Sequence, residues 1–238
     1  MKSLIKPELA IRFAPPGTLA RPVVKRSNAR KTSKYPSWKM GGMLQCESEN
    51  ERNCMLLFDL CPWVKSYRPQ PCVIEYRLNG HEFKHFPDVL AHTHSGNELI
   101  EVKPRKFANQ PDIVRRTMHL TEILPAYGYR YRLLLAEDLA LNPRLENVEL
   151  IKRLGKVEVP ALQRERIRIL FQQHPSIPWG ALQQDKQLAM HVCRMVLEGH
   201  LNIDLNQPLT DNTPVRWAIN PIQSGGASWE SLISKKAQ

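Results

Sequence analysis

Two short segments around one polar turn decide most of what this chain can become. Phe86-Pro87-Asp88-Val89-Leu90-Ala91-His92 precedes the turn, and Glu98-Leu99-Ile100-Glu101-Val102-Lys103-Pro104 follows it. The second segment alternates like a strand, which sets Glu101 and Lys103 on one face and Ile100 and Val102 on the other. A hairpin turning near His94 and Ser95 leaves Asp88 and Glu101 equally far from the turn, hence opposite each other. Two carboxylates then converge with one ammonium. That combination suits a divalent cation and an activated water.

Hydrolysis of a phosphodiester needs such a set. Asp88 and Glu101 are the expected direct metal ligands, with the Val102 carbonyl a third and Lys103 orienting water or balancing charge. Glu51 is the fourth candidate. A helix is expected from Ser48 to Leu60, stopping before Pro62, and Glu51 falls near its apolar stripe of Cys54, Met55, Leu57 and Phe58. A lone buried Glu is costly unless its charge is used. Ser48-Glu49-Asn50-Glu51 also matches a capping box, in which Glu51 only satisfies first-turn backbone. Both readings stay open on these residues. His92-x-His94 offers a further metal pair, but no third ligand follows at a useful spacing.

Charge is the next constraint. The 238 residues carry a net +11. Residues 1–46 hold ten Lys or Arg against Glu8 alone, a net of +9, which leaves +2 for the rest. These residues show no periodicity and contain Pro7, Pro15, Pro16, Pro22 and Pro36, so an extended basic arm is expected. Lys25, Arg26, Arg30, Lys31, Lys34 and Lys39 are its candidate contacts to a nucleic-acid backbone, against the alternative of a merely solvated tail. No apolar run reaches the ~18 residues of a membrane span, and no leader-like h-region is visible. The five cysteines include no C-x-x-C, so free thiols in a reducing cytoplasm are expected.

Element order follows from periodicity and turn signals. After the Ser48–Leu60 helix, residues 72–78 and 81–86 read as strands joined at Asn79-Gly80, a two-residue hairpin turn. A strand over 98–102, a helix from Pro111 to Leu124 and a strand over 129–135 come next, the last able to pair in parallel with the third through the helical crossover. From Asn142 the pattern turns helical, with helices over 144–154, 160–173, 177–182 and 185–197. Strands over 201–205 and 213–219 then close a winged-helix-like plan. The expected organisation is a basic arm (1–46), a catalytic α/β domain (47–141), a helical, winged-helix-like interaction domain (142–219) and a flexible tail (220–238).

The combination P-D-x12-E-V-K in this element order resembles the PD-(D/E)xK nuclease superfamily. Within it, the chain is most similar to TnsA, the endonuclease subunit of heteromeric transposases. The likeness runs from about Glu47 to Leu150. It includes Glu51-Arg52 opening a helix, Tyr67-Arg68-Pro69-Gln70-Pro71, Ile74-Glu75-Tyr76, Phe86-Pro87-Asp88, Leu99 to Pro104, Gly128 to Arg132 and Leu145-Glu146-Asn147. The Gln-Pro element is the family-specific part. The resemblance implies a restriction-endonuclease-like mixed sheet flanked by helices. It implies Glu51 as the helical acid, Asp88 and Glu101 as ligands of Mg²⁺ (or Mn²⁺), and Lys103 as the catalytic lysine. It also implies cleavage of double-stranded DNA at transposon 5′ ends, beside a DDE transposase and in contact with an AAA+ ATPase regulator. The alternatives are a free-standing restriction or repair nuclease of the same superfamily and a non-catalytic DNA-binding protein.

Overall fold

Residues 8–21 and 33–218 are described by the structure, a computed structural model. Three strands come first: β1 (Leu9–Phe13), β2 (Ser33–Ser37) and β3 (Gly42–Cys46). Helix α1 (Glu49–Leu60) leads to β4 (Val64–Pro69), the hairpin β5 (Cys72–Leu78) and β6 (His81–His85), and the hairpin β7 (Val89–Thr93) and β8 (Gly96–Lys103). The short α2 (Arg105–Ala108) and the longer α3 (Pro111–Ile123) precede β9 (Tyr129–Leu135). The remainder is α4 (Ala136–Leu139), α5 (Arg144–Leu154), α6 (Ala161–Gln173), β10 (Ser176–Pro178), α7 (Trp179–Gln183), α8 (Lys186–Leu197), β11 (Leu201–Ile203) and β12 (Pro214–Trp217).

The central sheet has the order β4-β7-β8-β9. Its first three strands are antiparallel, and β9 returns parallel to β8. A parallel neighbour requires a crossover, which α3 supplies. Alternation along β8 divides its side chains between two layers. Ile100 and Val102 join Val89, Ala91 and Leu134 in the cluster that holds Met55 and Phe58 of α1. Leu99 points the other way, into a second cluster with Leu90, Tyr131, Ile74, Tyr76 and Leu120 of α3. Glu101 and Lys103 share the Leu99 face.

Three expectations are corrected. The Asn79-Gly80 hairpin forms, with both residues at positive φ (51° and 80°), but it does not pair with β8. It joins β1 in a separate sheet of order β1-β5-β6. The strand beside β8 is β7, with β4 beyond it. The second correction concerns the basic arm, whose described parts belong to the fold. Leu9 to Phe13 pair along β5, and β2 and β3 form a hairpin that buries Tyr35 and Ser37. Those two residues alternate inward while Pro36 between them is exposed, where its missing N–H does no harm. Third, residues 176–178 form a strand before the short helix expected there.

A buried polar cluster fastens the β2–β3 hairpin. Asp59 of α1 is fully buried and accepts from the hydroxyls of Tyr35 (2.6 Å), Ser37 (2.6 Å) and Tyr67 (2.7 Å). The Lys152 ammonium of α5 stands 3.2 Å from the same carboxylate and donates to the Pro36 carbonyl at 2.7 Å. A buried charge needs this degree of satisfaction. The cluster ties together four segments: the hairpin, α1, β4 and α5.

The helical half ends as the alternation of residues 201–205 predicts: β11 and β12 pair antiparallel, with β10 on the outer side of β12. Gly199 follows α8 at φ 78°, and a Cβ there would lie 2.7 Å from Pro62, so glycine serves both the helix stop and the close approach. The boundary expected at residue 142 lies inside one apolar cluster, which continues from Leu57 and Ile100 to Ile151, Val192 and Val215. Residues 219–238, the expected tail, lie outside the described residues. Among the described residues no helix is long and apolar enough to cross a membrane.

Candidate active site

The β7–β8 register fixes the site. Thr93 pairs with Gly96 and Val89 with Ile100, so the turn is His94-Ser95. Asp88 lies just before the paired residues of β7, where its N–H donates to the Ile100 carbonyl at 2.9 Å, one residue out of that register, and the charge of Glu101 acts on its carboxyl. Asp88 is pinned twice more: its carbonyl accepts from Gln70 N at 2.7 Å, and its Oδ2 accepts from Val102 N at 2.7 Å.

Glu101 is 3% exposed. Lys103 Nζ stands 2.6 Å from its Oε1, and an Arg116 terminal nitrogen stands 3.5 Å from the same oxygen. His85 Nε2 is 3.5 Å from Oε2 and 2.9 Å from the Tyr131 hydroxyl. Burial, then Arg116 and Lys103, pull the His85 pKa down to about 3, so this histidine is neutral. Asp88 moves the other way. Burial first, then the negative charges of Glu101 and Glu51, raise its carboxyl well above the usual range, against the Val102 N–H and Lys103.

Glu51 starts α1 and is buried. Both of its oxygens are engaged locally: Oε2 accepts from Glu47 N at 3.0 Å, and Oε1 from the Ser48 hydroxyl at 2.9 Å. Ser48 Oγ in turn accepts from Glu51 N at 3.2 Å. Ser48 thus caps the helix, and Glu51 returns to the Glu47 N–H in place of the Ser48 N–H of a full capping box. Glu51 still reaches the pair by charge. Its pKa is raised by burial, and the carboxylates of Glu47 and Glu101 add to the rise while its two cap bonds oppose it.

Among the described residues, no group of three or more His, Cys, Asp or Glu side chains is disposed to hold a metal ion. The oxygen donors that do come together are Asp88 and Glu101. Glu101 Oε2 is buried without a hydrogen-bond partner, the condition of an oxygen with a coordination position to give. Hard divalent cations take oxygen ligands of this type. The chemistry of the pair suits a small hard cation. His92 is tied to Asn97, its Nδ1 2.7 Å from Oδ1, and His94 lies against Trp63, so the two do not form a second centre.

The basic candidates divide. Lys25, Arg26, Arg30 and Lys31 lie outside the described residues. Lys34 is exposed on β2. Lys39 is corrected. Its ammonium donates to the carbonyls of Phe58 (2.6 Å), Cys61 (2.6 Å) and Val64 (2.8 Å). It caps the negative end of α1, and burial draws its pKa down to about 8. It is not placed to meet a phosphate. Reading the sequence missed Arg116, His85 and Tyr131. No local spacing announces them, because they arrive at Glu101 from α3, β6 and β9.

No protein-family model matches the chain, and no curated protein matches it. A match among solved structures is the crystal structure of protein VC1899 from Vibrio cholerae, 18% identical over 42% of this chain and 30% of that chain, with a TM-score of 0.28. This chain therefore spans less than a third of that protein, and a likeness so distant carries no argument about fold or function.

Proposed function

We propose that this chain is a metal-dependent DNA endonuclease, the subunit of a heteromeric transposase that cleaves the 5′ ends of the transposon in cut-and-paste transposition. The observation that carries the reading is the Asp88 carboxyl, bonded to Val102 N at 2.7 Å and acted on by the charge of Glu101, with the Lys103 ammonium 2.6 Å from Glu101. The order α1, β7, β8, α3, β9 around those residues supports a restriction-endonuclease-like domain. The order α6, β10, α7, α8, β11, β12 supports a winged-helix-like one. Most of α8 is buried in this chain's own core, which leaves it unsuited to insertion into a DNA groove; the proposed partner of the helical half is the AAA+ regulator. The proposed compartment is the reducing cytoplasm, in keeping with five free, buried thiols.

Asp88 and Glu101, with the Val102 carbonyl, would hold Mg²⁺ or Mn²⁺. When bound, that ion polarises water and shields the phosphate charge. In the hydrolysis, water oxygen forms a new bond to phosphorus and one phosphorus–ester oxygen bond breaks. Water loses a proton and the leaving oxygen gains one. Lys103 donates to the attacking water or to phosphate oxygen, and its ion pair with Glu101 keeps it at that point. Glu51 acts on the pair through its charge from the start of α1.

The test is strand-resolved nicking of transposon-end DNA with the cognate DDE transposase and Mg²⁺. Asp88→Ala or Lys103→Ala is expected to lower 5′-end cleavage by about a hundredfold or more, leaving 3′-end cleavage by the partner. Wild-type nicking rates in both variants would refute the assignment. Cleavage by the purified protein without partners would favour a free-standing nuclease instead.

A further inference from the structure

Helix α3 lays a stripe on the sheet through Ile113, Leu120 and, just past its end, Leu124, all buried. Arg116 lies in this same stripe, three residues after Ile113 and four before Leu120. A guanidinium at a core-facing position is destabilising unless its charge is used. Its placement beside Glu101 and the Tyr131 hydroxyl does not use it fully. The contact to Glu101 Oε1 is 3.5 Å, against 2.6 Å for Lys103 to the same oxygen, and the buried Arg116 Nε has no hydrogen-bond partner. The side chain is 20% exposed, so it is not sealed in the core.

We propose that Arg116 is a catalytic residue of this site, donating to a non-bridging oxygen of the scissile phosphate. The inference rests on the nuclease reading above. Charge balance supports it. The carboxylates of Asp88, Glu101 and Glu51 stand against Lys103 and Arg116. A divalent cation then leaves the site singly positive, which suits the negative charge gathered on five-coordinate phosphorus in ester hydrolysis. Without Arg116 that excess is gone. The planar fork of a guanidinium also meets phosphate oxygens in a way an ammonium does not.

The test uses the full chain with its transposase partner, Mg²⁺ and end DNA carrying sulfur at one or the other non-bridging position of the scissile phosphate. Arg116→Gln is expected to cut the single-turnover rate by about a hundredfold or more, with Arg116→Lys recovering part of it. At one stereochemical position the rate penalty of sulfur should be large for the native chain and largely absent for Arg116→Gln. Mn²⁺ affinity and thermal unfolding report whether that variant keeps its fold and its carboxylate pair. Native nicking with an undiminished rate in Arg116→Gln overturns the proposal alone, as does an equal sulfur penalty in both proteins. No 5′-end nicking by the native chain overturns the nuclease reading and this inference together. If Arg116→Gln unfolds, the comparison of Arg116→Lys with the native chain at the two sulfur positions decides in the same way.

Discussion

Asp88 holds its proton more tightly than an ordinary aspartate because it is buried beside Glu101 and Glu51. A carboxyl whose folded pKa is raised opposes folding once it ionises. The penalty is absent below the unfolded value, grows as pH rises toward the folded value, and stays at its maximum above it. Asp88→Asn is therefore expected to stabilise the metal-free protein at neutral pH, on the order of 1 kcal/mol, and the gain should vanish in acid. Melting curves of both proteins between pH 3 and pH 8 check this, and a variant less stable at neutral pH would contradict it. Counting outward from His94-Ser95 sets 88 near 101, and the Val102 N–H bonded to Asp88 Oδ2 keeps the two close. Arg116 and His85 were not legible in the sequence. Their contacts to Glu101 run through a helical crossover and a second sheet, and neither leaves a local pattern.

Among the elements, those announced by a period or a cap were readable, and those interrupted by backbone irregularity were not. Helix α1 was announced by Ser48 and stopped by Pro62. Its cap is made by Ser48 Oγ, so Ser48→Ala should cost about 1 kcal/mol, read as a lower urea midpoint, while Ser48→Asp keeps most of the stability. An unchanged midpoint in Ser48→Ala would mean the cap contributes nothing. Strand β4 was hidden because its register against β7 shifts between Val64 and Ser66, and a bulge breaks the alternation that announces a strand. Strand β7 is five residues, four of them buried, a run too short and too uniformly buried for period to distinguish.

In the whole molecule, charge suggested an arm and packing contradicts its separateness. Residues 1–46 concentrate the positive charge, yet their described parts supply strands to one sheet and a hairpin whose Tyr35 and Ser37 hydroxyls bond to buried Asp59. Excising the segment would remove part of the core as well as the charge. Replacing Lys25, Arg26, Arg30 and Lys31 by Gln is the cleaner test. If these residues meet phosphates, the slope of log affinity for duplex DNA against log salt should flatten by roughly 0.9 for each phosphate no longer neutralised. An unaltered slope would remove them from the interface. Lys39, committed to three carbonyls from the end of α1 to the start of β4, has no part in that slope.

On the proposed reading, the carboxylates of residues 88 and 101 share one hard cation when DNA is present. Calorimetric titration of Mn²⁺ into the full-length protein bound to transposon-end DNA tests this with no cleavage step intervening. The native chain should bind the ion, and Asp88→Ala and Glu101→Gln should each weaken that affinity by about tenfold or more. Absence of Mn²⁺ binding by the native complex, or equal binding by all three proteins, would be incompatible with a shared cation.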